Sequence, residues 1–191
     1  MIITIARECG CYGDEIGIKL AEKLKIPFYD KKKIKELARK KGVYEKYPSF
    51  YEEKEGNMFL SVIEEDQQLG IARKTPGKAL KAVLGEESCV ILGRCGNYAY
   101  EGTEGVFRIF LSGERETRIA HLMEKHKVSR REAEDTLEKT DSRRKEYHRF
   151  YTGQEWGYAG NYDLCINDSK SGMEGTVEEI VAYLKRCGME K

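Results

Sequence analysis

Five short apolar runs recur along the chain: Ile2 to Ala6 (IITIA), Ile26 to Asp30 (IPFYD), Cys89 to Gly93 (CVILG), Val106 to Leu111 (VFRIFL) and Tyr162 to Asn167 (YDLCIN). Most are β-branched or aromatic and too short for helices, so they read as strands. Between them the apolar positions fall at helical spacing. Ile16, Leu20, Ala21 and Leu24 make one stripe, Ile34, Leu37 and Ala38 a second, and Ile119, Leu122 and Met123 a third. Ser129 and Glu132 form an S-x-x-E capping box opening a long charged helix. Val177, Ile180, Val181 and Leu184 line a last helix that closes on Gly188.

Strands alternating with helices predict right-handed βαβ units, hence an α/β three-layer sandwich around a five-stranded parallel sheet. Two segments fit the alternation less well. Residues 42–87 are rich in charge and tyrosine, and residues 127–160 carry the charged helix followed by YTGQEWGYAGN. Both read as excursions, an inserted segment and a lid, from one core of residues 1–41, 88–126 and 161–191. The whole chain of 191 residues is then a single domain.

Composition adds mainly exclusions. Lys plus Arg number 34 and Asp plus Glu 33, so the totals suggest neither a nucleic-acid polymer nor a membrane surface as partner. An anion site must come from a local cluster of Arg and Lys. No apolar run approaches the ~18 residues of a membrane span, and the start lacks a signal-peptide pattern. The expectation is a cytoplasmic protein whose six cysteines are reduced thiols.

The stretch TIARECGCYGDEIGIKLAEKL has the outline of a phosphate loop, a strand and a glycine-bearing turn that opens a helix. Against G-x-x-x-x-G-K-S/T, the octapeptide ECGCYGDE matches only at Gly13; Glu8, Asp14 and Glu15 replace the first glycine, the lysine and the Mg²⁺-holding hydroxyl. The carboxylates have a plain reading as well. Asp14 near the N-cap and Glu15 in the first turn would satisfy the helix N–H groups and dipole themselves. Phosphate and carboxylate compete for the same donors, and the sequence leaves both readings open.

Four stretches together resemble the cytidylate kinase-like family, a branch of the nucleoside monophosphate kinases. The first is IARECGCYGDEIGIKLAEKLKIPFYDKKKI, similar to the family's S-R-E-x-G-S-G-G-R-E-I-G, helix and I-P-F-Y-D. Arg7, Glu8, Gly10, Gly13, Glu15, Ile16 and Gly17 match; Cys11, Tyr12 and Asp14 depart, and at position 14 the family carries arginine. The others are CVILGRCGNYAY, FRIFLSGERETRIAHLM and the lid and final strand KTDSRRKEYHRFYTGQEWGYAGNYDLCINDSKSG. The resemblance spans nearly the whole chain in order.

It implies a P-loop nucleotide-kinase fold and ATP- and Mg²⁺-dependent phosphoryl transfer to a nucleoside monophosphate, CMP or dCMP first. The alternatives are a nucleotide-binding protein with a degenerate loop, and a kinase of another small acceptor. The implied partner is a small nucleotide, with a homodimer left open. Gly10, Cys11, Tyr12, Gly13, Asp14, Glu15 and Ile16 would hold the donor phosphates, with Glu15 on Mg²⁺. Arg94, Asp141 and Arg144 would hold the acceptor, and Arg94, Arg118, Arg143 and Arg144 would serve the transfer.

Residue chemistry supports arginines in these roles, because phosphoryl transfer needs positioning and charge neutralisation by bidentate guanidinium forks. Arg94 follows the third strand at its carboxyl end, where open α/β sheets bind ligands. Asp141 and Arg144 form a D-x-x-R pair, Arg149 is a further lid candidate, and Arg7 sits where it would replace the charge lost at Asp14. Exposed helix surface is the competing reading for Arg118, Arg143 and Arg149. Tyr44, Tyr47, Phe50 and Tyr51 either stack a base or pack. Cys9, Cys11 and Cys95 would converge as a metal or redox site only if the first and third strands are neighbours, and separate buried thiols are the plainer reading.

Overall fold

The computed structural model describes residues 1–52 and 66–188, with side chains for all of these but 66–69. Along the chain run β1 (Ile2–Arg7), α1 (Gly13–Leu24), β2 (Phe28–Tyr29), α2 (Lys31–Lys40), a 3-10 turn (Tyr44–Lys46), α3 (Pro48–Glu52), α4 (Asp66–Leu84), β3 (Cys89–Leu92) and α5 (Gly96–Ala99). There follow β4 (Val106–Ser112), α6 (Arg115–His126), α7 (Arg130–Thr152), a second 3-10 turn (Ala159–Asn161), β5 (Leu164–Asn167) and α8 (Asp168–Arg186). The five strands are all parallel in the order β2-β3-β1-β4-β5. The α/β sandwich with a five-stranded parallel sheet is thus the architecture found.

Side chains on β1 divide the core by the two-residue period of a strand. Ile3 and Ile5 face Ile16 and Leu20 of α1 and Ile180 and Leu184 of α8. Ile2 faces the other layer, with Ile34 of α2, Leu80 of α4 and a group of buried aromatics. Both faces are covered, so β1 and β3 are apolar almost without interruption.

Boundaries move where local chemistry competes with the ladder. β2 shrinks from the expected Ile26–Asp30 to Phe28–Tyr29, because Pro27 has no N–H and Asp30 caps α2, its Oδ1 accepting from the Lys33 N–H at 2.7 Å. β5 starts at Leu164, two residues late, after Asp163 has taken the Arg108 guanidinium (Nη2 to Oδ1, 2.6 Å). α8 breaks at Gly172 (φ 66°, ψ 176°), which separates a first turn from the apolar stripe predicted by sequence.

α7 carries both bonds of the Ser129–Glu132 capping box and ends on Gly153 in the left-handed conformation (φ 70°). It packs along α6 and α4, and its Arg143, Arg144, Tyr147 and His148 share a cleft with the carboxyl ends of β1 and β3. Residues 42–87 carry the first 3-10 turn, α3 and α4, and residues 53–65 lie outside the described residues. The described aromatics of this stretch pack against the core. Phe50 and Tyr51 are buried, and Phe50 meets Tyr151 edge-on at 5.2 Å. No described helix is long and apolar enough to cross a membrane.

Candidate active site

β1 and β3 lie side by side and end in Arg7 and in the turn Gly93–Arg94–Cys95. That turn is left-handed at three successive residues, with φ of 76°, 56° and 51°. For two L-residues this conformation costs about 1–2 kcal/mol each, so surrounding contacts must hold it. It opens a cleft of ≈ 190 Å³ at the carboxyl edge of the sheet, where ligands bind in open α/β folds. Arg7, Lys31, Arg94, Arg143 and Arg144 line the cleft, and among the described residues no carboxylate does. Three of the four sequence-predicted catalytic arginines therefore meet in one place.

Arg94 is 6 % exposed, and the way it is buried explains the strained turn. Its Nη1 donates to the carbonyl of Phe50 and, at 3.5 Å, to that of Tyr51. Its guanidinium lies 4.4 Å from the centre of the Tyr147 ring and 5.7 Å from that of Phe50. Tyr147 also donates to the Phe50 carbonyl (2.9 Å). The same guanidinium therefore faces the cleft and pins α3 and α7 together.

Arg118 and Asp141 are placed apart from the cleft, behind the loop of residues 8–12. Arg118 Nη1 donates to Asp141 Oδ2 (2.7 Å) and to the Cys9 carbonyl (3.1 Å), while its Nε lies 3.6 Å from Glu8 Oε2. Asp141 Oδ1 accepts the Cys9 N–H at 2.7 Å. Asp168, at the head of α8, accepts the Tyr12 N–H at 2.9 Å. The Tyr12 amide of the candidate phosphate loop and the adjoining Cys9 amide are therefore bonded to carboxylates from α8 and α7. α6 presses on the loop as well: a Cβ on Gly10 (φ 85°) would stand 2.6 Å from the Arg118 carbonyl oxygen. His121 Nδ1 lies 2.6 Å from the Gly10 carbonyl, and its ring covers Tyr12 at 3.9 Å.

The two acidic residues that opened the question stand differently. At the α1 N-cap, Tyr12, there is no side-chain capping bond, and Asp14 is exposed. Glu15 turns to α6, where Lys125 Nζ donates to its Oε1 at 2.6 Å. Burial raises the Glu15 carboxyl's pKa, but Lys125 and the residue's own N–H outweigh it and hold the carboxyl below its ordinary value. Of the two open readings, capping of the helix by both carboxylates is not what the structure has: Asp14 is exposed and Glu15 bonds Lys125.

A profile described as the cytidylate kinase-like family matches residues 2–170. The chain belongs to the cytidylate kinase-like family. Among solved structures it is similar to an uncharacterized protein from Eubacterium ventriosum, at 28 % identity and a TM-score of 0.73, covering 97 % of this chain and 98 % of that one. Shikimate kinase from Aquifex aeolicus aligns at 16 % identity and a TM-score of 0.46 (99 % of each chain), and that from Bacteroides thetaiotaomicron at 15 % and 0.48 (97 % and 98 %). No curated protein matches the chain.

Several residues of this family member's site escaped the sequence reading. Asp168 follows the last strand directly, the same topological position that singled out Arg94, and that signal was readable. Lys31 and His148 line the cleft without any motif of their own. The thiols, by contrast, do not converge: Cys9, Cys11 and Cys95 lie in three different core clusters. Burial, with the charges of Asp168 and Glu8, pushes the Cys11 thiol far up, so it stays protonated and bonds Asp168. Among the described residues no three His, Cys, Asp or Glu side chains form a metal cluster.

His148 yields a pH prediction. It is 3 % exposed, and burial lowers its pKa to about 4, against the hydrogen bond its ring N–H donates to Gln154, which raises it. A depressed folded pKa means the unfolded chain binds the proton first, so stability is full above about 6.5 and is lost as pH falls through 4. Between pH 7.5 and 4.5 the wild type should lose about 2 kcal/mol more than His148→Phe in urea unfolding. Equal losses in the two proteins would contradict the burial argument.

Proposed function

We propose that this protein transfers the γ-phosphoryl group of ATP to a nucleoside monophosphate, with CMP and dCMP the first candidates on family grounds. The observation that carries the proposal is the cleft at the ends of β1 and β3, with five cationic side chains and, among the described residues, no carboxylate. Such a lining fits a dianionic phosphate monoester gripped by guanidinium forks. Arg94, Arg143, Arg144 and Lys31 would hold the acceptor phosphate, and the turn from Gly10 to Ile16 the donor phosphates. Arg118 and Asp141 would act by position, tying α6 and α7 to the loop. α7, lying over the cleft, would keep water from the transferred group. The same reading places the protein in the cytoplasm with its nucleotide substrates.

Magnesium is expected with the donor, where it would offset the charge of the phosphates. The residues fit it modestly. Mg²⁺ needs only one or two protein carboxylates beside phosphates and water, and Asp14 and Asp30 both line an open basin next to the loop. Glu15 is already engaged by Lys125.

For the donor to bind in the turn from Gly10 to Ile16, Asp168 must leave the Tyr12 N–H, while the adjoining Cys9 N–H is held by Asp141. One anion replaces another on the same amide. These occupied amides also favour a second reading, a protein that binds a phosphate ester in the cleft without turning it over. A coupled assay with ATP, Mg²⁺ and a panel of nucleoside monophosphates separates the two. Turnover of at least one acceptor is expected. Calorimetric binding of CMP with no turnover of any acceptor would replace the first reading by the second.

A further inference from the structure

Two depressions share one arginine side chain. Arg7 lines the enclosed cleft, and with Lys31 it also lines the open basin formed by Asp14, Asp30, Lys32 and Lys35. The first lies at the acceptor side and the second touches the first turn of α1, beside the loop. The side chain's route between them is cleared by two glycines. A Cβ at Gly13 would stand 2.7 Å from Arg7 Cγ, and one at Gly93 (φ 76°) 2.8 Å from Arg7 Nη1. The Cγ contact involves the inner part of the side chain, which cannot swing aside cheaply. From behind, Arg144 Nη1 donates to the Arg7 carbonyl at 3.1 Å, so the strand end is tied to α7. The head of α1, meanwhile, offers the anion Asp14 where a phosphate loop needs a cation.

We propose that Arg7, whose side chain lines both depressions, is the catalytic cation of the transfer and supplies the charge that position 14 lacks. The inference rests on the phosphotransferase reading above. In the step it serves, an acceptor-phosphate oxygen forms a bond to the γ-phosphorus. The bond from that phosphorus to the β–γ bridging oxygen breaks, and its electron pair leaves on ADP. Arg7 keeps its protons throughout and bonds the equatorial oxygens of the moving group, where charge has to be spread. A guanidinium suits this better than an ammonium, since its planar fork can face both phosphoryl groups at once.

The test uses the full chain with Arg7→Met, and has two arms. In turnover, kcat should fall about 10²–10³-fold with the thermal midpoint nearly unchanged. Millimolar guanidinium ion should restore at least about tenfold of the loss, and so should Asp14→Arg added to Arg7→Met. A purely structural Arg7 would respond to neither, and absence of both rescues overturns the proposal. In binding, calorimetry compares inorganic phosphate with pyrophosphate. Arg7→Met should weaken pyrophosphate about tenfold or more while changing phosphate less than about threefold, because only the larger anion needs the shared cation. Equal losses for both anions overturn the bridging role. The binding arm needs no catalysis, so a wild type without turnover would sink the kinase reading and the catalytic role with it, while the pyrophosphate comparison still decides whether Arg7 serves two anions.

Discussion

Arg118→Met should lower the unfolding free energy by about 3 kcal/mol or more, the range for removing one partner of a buried ion pair. Arg118 and Asp141 side chains are only 10 % and 11 % exposed, and their 2.7 Å contact is the hinge of a larger arrangement. Arg118 on α6 also holds the Cys9 carbonyl, and Asp141 on α7 holds the Cys9 N–H. One guanidinium and one carboxylate thus satisfy both backbone groups of a residue in the loop. Without the arginine, Asp141 keeps its charge in a buried site, with Arg144 Nη1 3.9 Å away as the next cation. That leftover charge, not the lost attraction, accounts for most of the cost. Adding Asp141→Asn to Arg118→Met should therefore recover about 1 kcal/mol or more. Urea unfolding of the two variants checks this. A single-variant loss below about 1 kcal/mol would show that water reaches the pair and that it behaves as a surface bridge.

How far this was legible in the sequence depends on which kind of information each feature uses. The sheet came from local patterning: β1 and β3 are continuous apolar runs because helices cover both faces, and the Ser129–Glu132 box announced α7 unaided. Shorter elements lost their ends to neighbours the pattern does not contain. Tyr162 and Asp163 read as strand, but Asp163 serves Arg108 from across the ladder. In the site, Arg94, Arg143 and Arg144 were named from their place in the topology and the family resemblance. What sequence could not supply was the partner of each loop amide. Local sequence points to the nearby Asp14 and Glu15 as the carboxylates competing with phosphate. The structure brings them from 132 and 156 residues away, in Asp141 and Asp168. Long-range pairing of this sort leaves no periodicity and no spacing rule behind. Tyr44, Tyr47, Phe50 and Tyr51 were likewise ambiguous, because packing and base stacking ask for the same side chains; burial of Phe50 and Tyr51 decides for packing at those two.

Arg94→Lys should weaken acceptor binding by about 100-fold, although it keeps the charge. The reason lies in the double engagement of the guanidinium. One edge is committed to the Phe50 and Tyr51 carbonyls, and the guanidinium rests against the Tyr147 and Phe50 rings. Those contacts fix the orientation of the fork before any ligand arrives, so little side-chain entropy remains to be lost on binding. They also hold the left-handed backbone at Arg94 and Cys95, whose φ of 56° and 51° would otherwise relax. An ammonium has no planar face to stack and no second edge to offer. A lysine there would satisfy one carbonyl and leave the acceptor phosphate, or serve the phosphate and abandon a buried carbonyl. Calorimetry with CMP and with inorganic phosphate reads the effect directly, and both affinities should fall together, since the loss is at the phosphate. If CMP weakens while phosphate does not, Arg94 is holding the acceptor segment in shape and the phosphate grip belongs to Arg143, Arg144 and Lys31. If neither weakens, the cleft at the ends of β1 and β3 is not the acceptor site, and the assignment of that site must move elsewhere along the carboxyl edge of the sheet.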